Sequence, residues 1–211
     1  MADARTAILG RIRGALGAHP EPEGDYAAIP RGYIRTGTLD AGGRLRLLEE
    51  RLRDYDTQVV ETDAGSLPRA IASILREHNQ KKVIAAEGLA AGILPSEFPF
   101  IAERSASLDD LNTCDGIVTQ CTVAIAFTGS IVLTHGPGEG ARRLTLVPDR
   151  HLCVVRAEQI VETVPEAIER LGPRATHPLT FISGPSATAD IEMTRIRGVH
   201  GPRFLDVVLV R

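Results

Sequence analysis

Short apolar runs alternate with amphipathic helical segments along most of this chain, and that alternation restricts its fold more than any other feature. Thr57 to Glu61, Val83 to Ala86, His151 to Arg156, Leu179 to Ser183 and Asp206 to Val210 read as strands, with a further short one around Phe98 to Ala102. Between them, Leu45, Leu48, Leu52 and Tyr55 stand at helical spacing within Leu39 to Tyr55. Ile71, Ile74, Leu75 and His78 do the same behind Ser66, a residue suited to cap a helix. Ser107 is placed to cap Leu108–Thr113, and Thr163-Val164-Pro165-Glu166 is a capping box that opens a helix to Leu171. Strands in alternation with helices build a mostly parallel sheet. Val123–Phe127 and Ile131–Thr134, separated only by Thr128-Gly129-Ser130, add an antiparallel insertion. The expected class is α/β.

At 211 residues the chain is long enough to bury a core without metal or disulfide staples. A net charge of −3 argues against a general nucleic-acid binder, and with 4% aromatic residues and no Trp there is little to stack bases on. No apolar run approaches the roughly 18 residues of a membrane span. Arg5, Arg11 and Arg13 interrupt what a signal peptide would keep apolar, so the cytoplasm is the expected location. Ala4 to Leu16 reads as a helix with Ile8, Ile12 and Leu16 on one face, followed by an irregular, Gly- and Pro-rich connector. Residues 1–37 are therefore expected as a helix with linker, and 38–211 as the α/β domain. The apolar face of that first helix suits either a partner or its own domain.

Cys114, Cys121 and Cys153 contain no C-x-x-C spacing and cannot supply four thiolates to an iron–sulfur cluster, so they read as buried free thiols. No His or Cys grouping has metal-ligand spacing, and no intrinsic metal or other cofactor is expected.

Three turn segments concentrate the residue types that bind anions. They are Thr128-Gly129-Ser130, the run Gly136-Pro137-Gly138-Glu139-Gly140 followed by Arg142-Arg143, and Ser183-Gly184-Pro185-Ser186. Glycine lets the backbone approach a ligand, while N–H groups, hydroxyls and guanidiniums donate to it. In the simplest topology all three follow strands at the carboxyl edge of the sheet, where open α/β sheets bind ligands. Each also has a plain reading as a turn, with Ser186 or Thr188 satisfying local backbone. Candidates for proton transfer or nucleophilic work are Glu139, the close pair Asp190 and Glu192, and His200; Asp190 and Glu192 equally suit pairing with Arg195 and Arg197. His135 and His151 share the formal ability of His200.

Two blocks in order, TGSIVLTHGPGEG…LTLVPDRHLCVVRAEQIV and SGPSATADIE…GVHGP, make the chain resemble the LutC-type lactate utilisation proteins, also called LUD-domain proteins. The opening ARTAILGRIRGALG is similar to that family's N-terminus. The resemblance implies a three-layer α/β fold with a mostly parallel sheet, of the type shared by glucosamine-phosphate and ribose-phosphate isomerases and CoA transferases, with an N-terminal helical extension. It also implies a cluster-free component of a cytoplasmic system oxidising lactate to pyruvate, with the iron–sulfur clusters carried by partner proteins. This chain would then serve in assembly or in binding a small anion. One departure bears on mechanism. The family pattern places an acidic residue before Thr128-Gly129, and here that position is Phe127. A CoA-transferase-like carboxylate nucleophile is missing there, and Glu139 lies downstream. Two other functions fit the residues: a stand-alone transferase, isomerase or ligase on a phosphorylated or CoA-linked small molecule, and a ligand-sensing module.

Overall fold

The computed structural model describes residues 3–17, 28–172, 174, 177–189, 195–198 and 200–211. The chain divides into two compact units, Met1–Tyr33 and Ile34–Arg211. In the first, helix α1 (Ala4–Leu16) carries Ile8, Ile12 and Leu16 on one face, all three exposed.

The second unit is built on a six-stranded sheet in which every neighbouring pair is parallel. Its strands are β1 (Gln58–Thr62), β2 (Val83–Ala85), β3 (Phe100–Ala102), β4 (Gly116–Gln120), β7 (Arg150–Arg156) and β12 (Phe204–Val210). The spatial order is β1-β12-β7-β4-β2-β3, so the last described strand is inserted between β1, at the edge, and β7. Sheets buried on both faces need continuous apolar strands rather than alternating ones, which explains the unbroken runs LCVV and LDVVLV apart from Asp206. Leu152, Val154 and Val208 face helix α3 (Leu67–Glu77), where Leu67, Ile71 and Leu75 meet them. Cys153, Val155, Val207 and Leu209 face the other way, against Leu48 and Leu52 of helix α2 (Ala41–Asp54). Leu48 and Leu52 are fully buried, each contributing about 1.5–3 kcal/mol by the usual scale.

Beside α2 lies a second sheet in the order β8-β5-β6-β9, which contains the antiparallel β5–β6 insertion, with β9 antiparallel to β6 and β8 parallel to β5. Its members are β5 (Val123–Ile125), β6 (Ser130–Leu133), β8 (Ile160–Val161) and β9 (Thr180–Ile182). Alternation with period two decides its two faces. Ala124, Ile131 and Leu133 join the core shared with α2, whereas Val123, Ile125 and Val132 pack on Ala167 and Leu171 of helix α5 (Val164–Leu171). Part of what would be a helical layer is thus a sheet with its own covering helix. Between the sheets' strands, helix α4 (Leu108–Thr113) buries Leu111 against Ile84 and Ile117.

The Thr163–Glu166 capping box forms as expected, and Ser107 caps α4 as expected, its reciprocal partner being Asp110. Ser66 does not cap α3. Its side chain makes no cap bond, and the Asp63 carboxylate instead accepts the Ser66 N–H at 2.9 Å. That bond holds the Asp63 carboxyl below its ordinary range. A short hairpin, β10 (Ala187–Ala189) with β11 (Arg195–Arg197), lies where no strand was expected.

Candidate functional site

Antiparallel pairing in the small sheet sets one of the three glycine-containing segments apart from the other two. The turn Thr128–Ser130 joins β5 to β6, while the Gly136–Gly140 run follows β6, which lies antiparallel to β5. The two therefore stand at opposite ends of this sheet. Strand β9 pairs antiparallel with β6, Ile182 opposite Ile131, and so delivers Ser183 to the first of them. The Ser130 and Ser183 hydroxyls lie 2.7 Å apart, and Thr128 donates to Ser130 at 2.8 Å.

The Gly136–Gly140 turn does reach the carboxyl edge of the parallel sheet, but it meets protein there. The Gly138 N–H donates to Glu87 O at 2.6 Å and Gly138 O accepts the Gln120 N–H at 2.7 Å. With φ +80° and +72°, Gly138 and Gly140 are glycine by conformation; a Cβ would strike Gln120 in one case and Leu144 in the other. Glu139 is only 4% exposed and its carboxylate is occupied. It accepts the Thr134 N–H at 2.6 Å, the Thr134 hydroxyl at 3.0 Å, the Gly136 N–H at 3.3 Å and the Thr122 hydroxyl. With four donors on its carboxylate, Glu139 works as a clasp for this turn. Glu103, also buried, does similar work, accepting from Glu87 N–H and Ala141 N–H.

Gly129 and Gly184 have the same kind of explanation. A Cβ on Gly129 would lie 2.7 Å from Arg51 Cβ, and one on Gly184 would lie 2.4 Å from Tyr55 Cβ. Both glycines admit the end of α2 rather than a ligand. Phe127 is 63% exposed. Arg143 is exposed and stands away from the cavity described next. Asp190 and Glu192 lie outside the described residues.

Five of the expected residues do converge. Arg142, Ser183, Gly184, Ser186 and His200 line a cavity of about 240 Å³. Its floor comes from His151 and Leu205, the second residue of β7 and of β12 respectively. The cavity thus sits at the amino ends of these strands, opposite to the usual edge. The loop geometry decides this, because Ser186 donates its N–H to Pro202 O at 2.8 Å, just before β12 begins. The Ser186 hydroxyl accepts the His200 N–H at 3.1 Å at the cavity wall, so its backbone partner lies in the loop before β12 rather than in its own turn. Arg142 is exposed, its guanidinium donating to Thr145 O at 3.1 Å and to the Thr145 hydroxyl at 3.3 Å. A second cavity, about 440 Å³, does lie at the carboxyl ends of β2 and β3, lined mostly by apolar groups with Arg104.

His151 and His200 line the first cavity, and His135 stands behind its Thr180 wall. His151 is 1% exposed, and burial pushes its imidazole down to about 4, so it is neutral near pH 7. Its Nε2 lies 2.7 Å from the Thr119 hydroxyl. His135 Nδ1 donates to Gly140 O at 2.9 Å, and its Nε2 meets the Thr180 hydroxyl on the cavity wall at 2.8 Å. Thr119, Thr145, Thr180 and Glu103 were not recognisable as site or clasp residues, because each owes its part to strand register or loop contact.

The LUD domain matches residues 45–210 of this chain. The chain belongs to the LUD-domain family. Over 213 aligned residues, 99% of this chain and 96% of the relative, this LUD-domain protein is 39% identical to lactate utilization protein C of Deinococcus radiodurans. It is 26% identical to lactate utilization protein C of an Exiguobacterium species, over 98% of this chain and 95% of the relative. The crystal structure of a DUF162 family protein from Deinococcus radiodurans is similar at a TM-score of 0.72 and 36% identity, covering 82% of this chain and all of that one. The LUD domain is therefore the α/β unit just described. No helix among the described residues is long and apolar enough to cross a membrane.

Proposed function

We propose that this LUD-domain protein is the cluster-free component of a cytoplasmic lactate-utilisation system, acting with iron–sulfur partner proteins and binding a small anion in the cavity under Arg142. The observation that carries the reading is 39% identity over nearly the whole of both chains to a lactate utilization protein C. The division of labour is supported by the thiols. Cys114, Cys121 and Cys153 are all buried and free, and burial raises the Cys114 thiol above its ordinary range. Three thiols are too few for a four-thiolate cluster, and these serve as core residues. Anion binding is supported by the convergence of Arg142, Ser183 and Ser186 on one cavity.

The test is a tagged pull-down from the native host, with an absorption spectrum of the eluate and growth of a deletion strain on lactate. Brown eluate with partner subunits, bleached by lactate, together with a growth defect, is the expected outcome. A colourless single species and unchanged growth would refute the reading.

A further inference from the structure

We infer that this chain pairs with a second copy of itself, the α1 helix of each copy lying on an apolar patch at the start of the other copy's α5. Self-association of this kind goes beyond the proposed function and does not involve the anion cavity.

Each of the two units leaves one apolar face exposed. In the first, Ile8, Ile12 and Leu16 recur one turn apart on α1, with Leu9 beside Ile8, and all four are exposed. A helix of 13 residues is marginal in water, and Gly10 and Gly14 weaken this one further. Its stability therefore depends on a surface that covers its apolar face.

In the second unit, five large apolar side chains gather at the start of α5. They are Ile34, Leu39, Phe127, Val164 and Ile168, all exposed. Hydrogen bonds bring them together from three parts of the chain. The Thr163 hydroxyl donates to Arg35 O at 2.9 Å, the Gly37 N–H to Glu166 at 3.0 Å and the Leu39 N–H to Glu162 at 2.6 Å. The Phe127 N–H donates to Glu162 O at 3.0 Å. Single exposed apolar residues are ordinary, whereas a cluster fixed by long-range bonds marks an interaction face.

Shape and charge select the occupant. Val164 and Ile168 stand one turn apart, the spacing of Ile8, Ile12 and Leu16, which suits two i, i+4 ridges packing into each other's grooves. Helix α1 carries Arg5, Arg11 and Arg13 and no acid. Around the patch, Asp40, Glu162, Glu166 and Glu169 outnumber Arg35, Arg44 and Arg170. A basic, apolar helix fits such a surface, and every copy of the chain supplies one. Reciprocal docking covers both faces of both copies and closes the assembly at two.

The test is sedimentation velocity of the full chain at tens of micromolar in low salt. The wild type should sediment as a dimer. I8D/I12D on α1 and V164D/I168D on the patch should each raise the dissociation constant at least about tenfold and give monomers. Mixing these two variants should restore a dimer, because the intact α1 of one meets the intact patch of the other. R11E/R13E should weaken the dimer and remove most of its salt sensitivity. All the substituted side chains are exposed, so a cooperative thermal transition should persist in every variant. A monomeric wild type would overturn the proposal and leave both faces to other partners. A dimer that survives V164D/I168D would overturn it in favour of α1 pairing with α1. A mixture that stays monomeric would overturn it as well, since docking between copies requires complementation. The pull-down and growth on lactate test the proposed function separately.

Discussion

Glu139 accepts the backbone N–H of Thr134 at 2.6 Å, and this bond closes a turn whose glycines look from sequence like a ligand cradle. If the carboxylate is a clasp, Glu139→Ala should cost about 2–4 kcal/mol of stability, since it strands several buried donors. Glu139→Gln keeps an acceptor and should cost about 1–2 kcal/mol. Urea unfolding midpoints give both numbers.

Stability should fall in mild acid because of His151. Free imidazole titrates near 6.5, and burial holds this one at about 4. Above pH ~6.5 both states are neutral and the full stability is present. As pH falls through that value the unfolded chain takes up a proton that the folded chain does not, so stability is lost until the folded value is reached. The loss attributable to this group is about 3 kcal/mol between pH ~6.5 and 4. His151→Gln should flatten the pH dependence across that window, as read from unfolding free energies at half-unit steps. Equal slopes in the two proteins would show that His151 is not held neutral.

Gly184→Ala and Gly172→Ala form a controlled pair. Both glycines have positive φ, +78° and +51°, but only at Gly184 would a Cβ meet a neighbour, Tyr55 Cβ at 2.4 Å. Gly172→Ala should cost about 1–2 kcal/mol from backbone strain alone. Gly184→Ala adds a clash with the end of α2 and should cost about 2–4 kcal/mol. Similar thermal midpoints for the two variants would mean that α2 moves aside freely.

Arg150 Nη1 donates to both carboxylate oxygens of Asp206, at 3.0 and 2.8 Å, with Asp206 1% exposed and the guanidinium 4.5 Å above the Phe204 ring. Desolvation nevertheless prevails over Arg150 and leaves the Asp206 carboxyl above its ordinary range. Removing one partner isolates a buried charge, so Arg150→Ala should cost about 3–5 kcal/mol. The double variant R150M/D206N should recover much of that loss. Additive costs in the double-mutant cycle would argue against coupling of the pair.

Local rules account for what was readable in the chain. Leu45, Leu48 and Leu52 recur at helical spacing and lie on the buried face of α2, because periodicity marks a face whatever covers it. Ser107 and Thr163 cap their helices because a capping box needs only residues three apart. The run LCVV announces a strand buried on both sides. Even there, Asp63 rather than Ser66 caps α3, since two suitable side chains lie close together and loop geometry chooses between them.

The anion-site residues were legible as types but not as a group. Arg142, Ser183 and Ser186 share a cavity, while the glycine-rich turn beside Arg142 serves the fold. By itself the sequence determined the α/β class, the antiparallel insertion and the family. Tertiary structure alone decided that Ser183 meets Ser130 across 53 residues, that His151 rather than Glu139 faces the cavity, and that the cavity lies at the amino ends of β7 and β12. The physical reason is range. Spacing along the chain governs helices, caps and strands, whereas a site is assembled by strand register and desolvation between residues far apart in sequence.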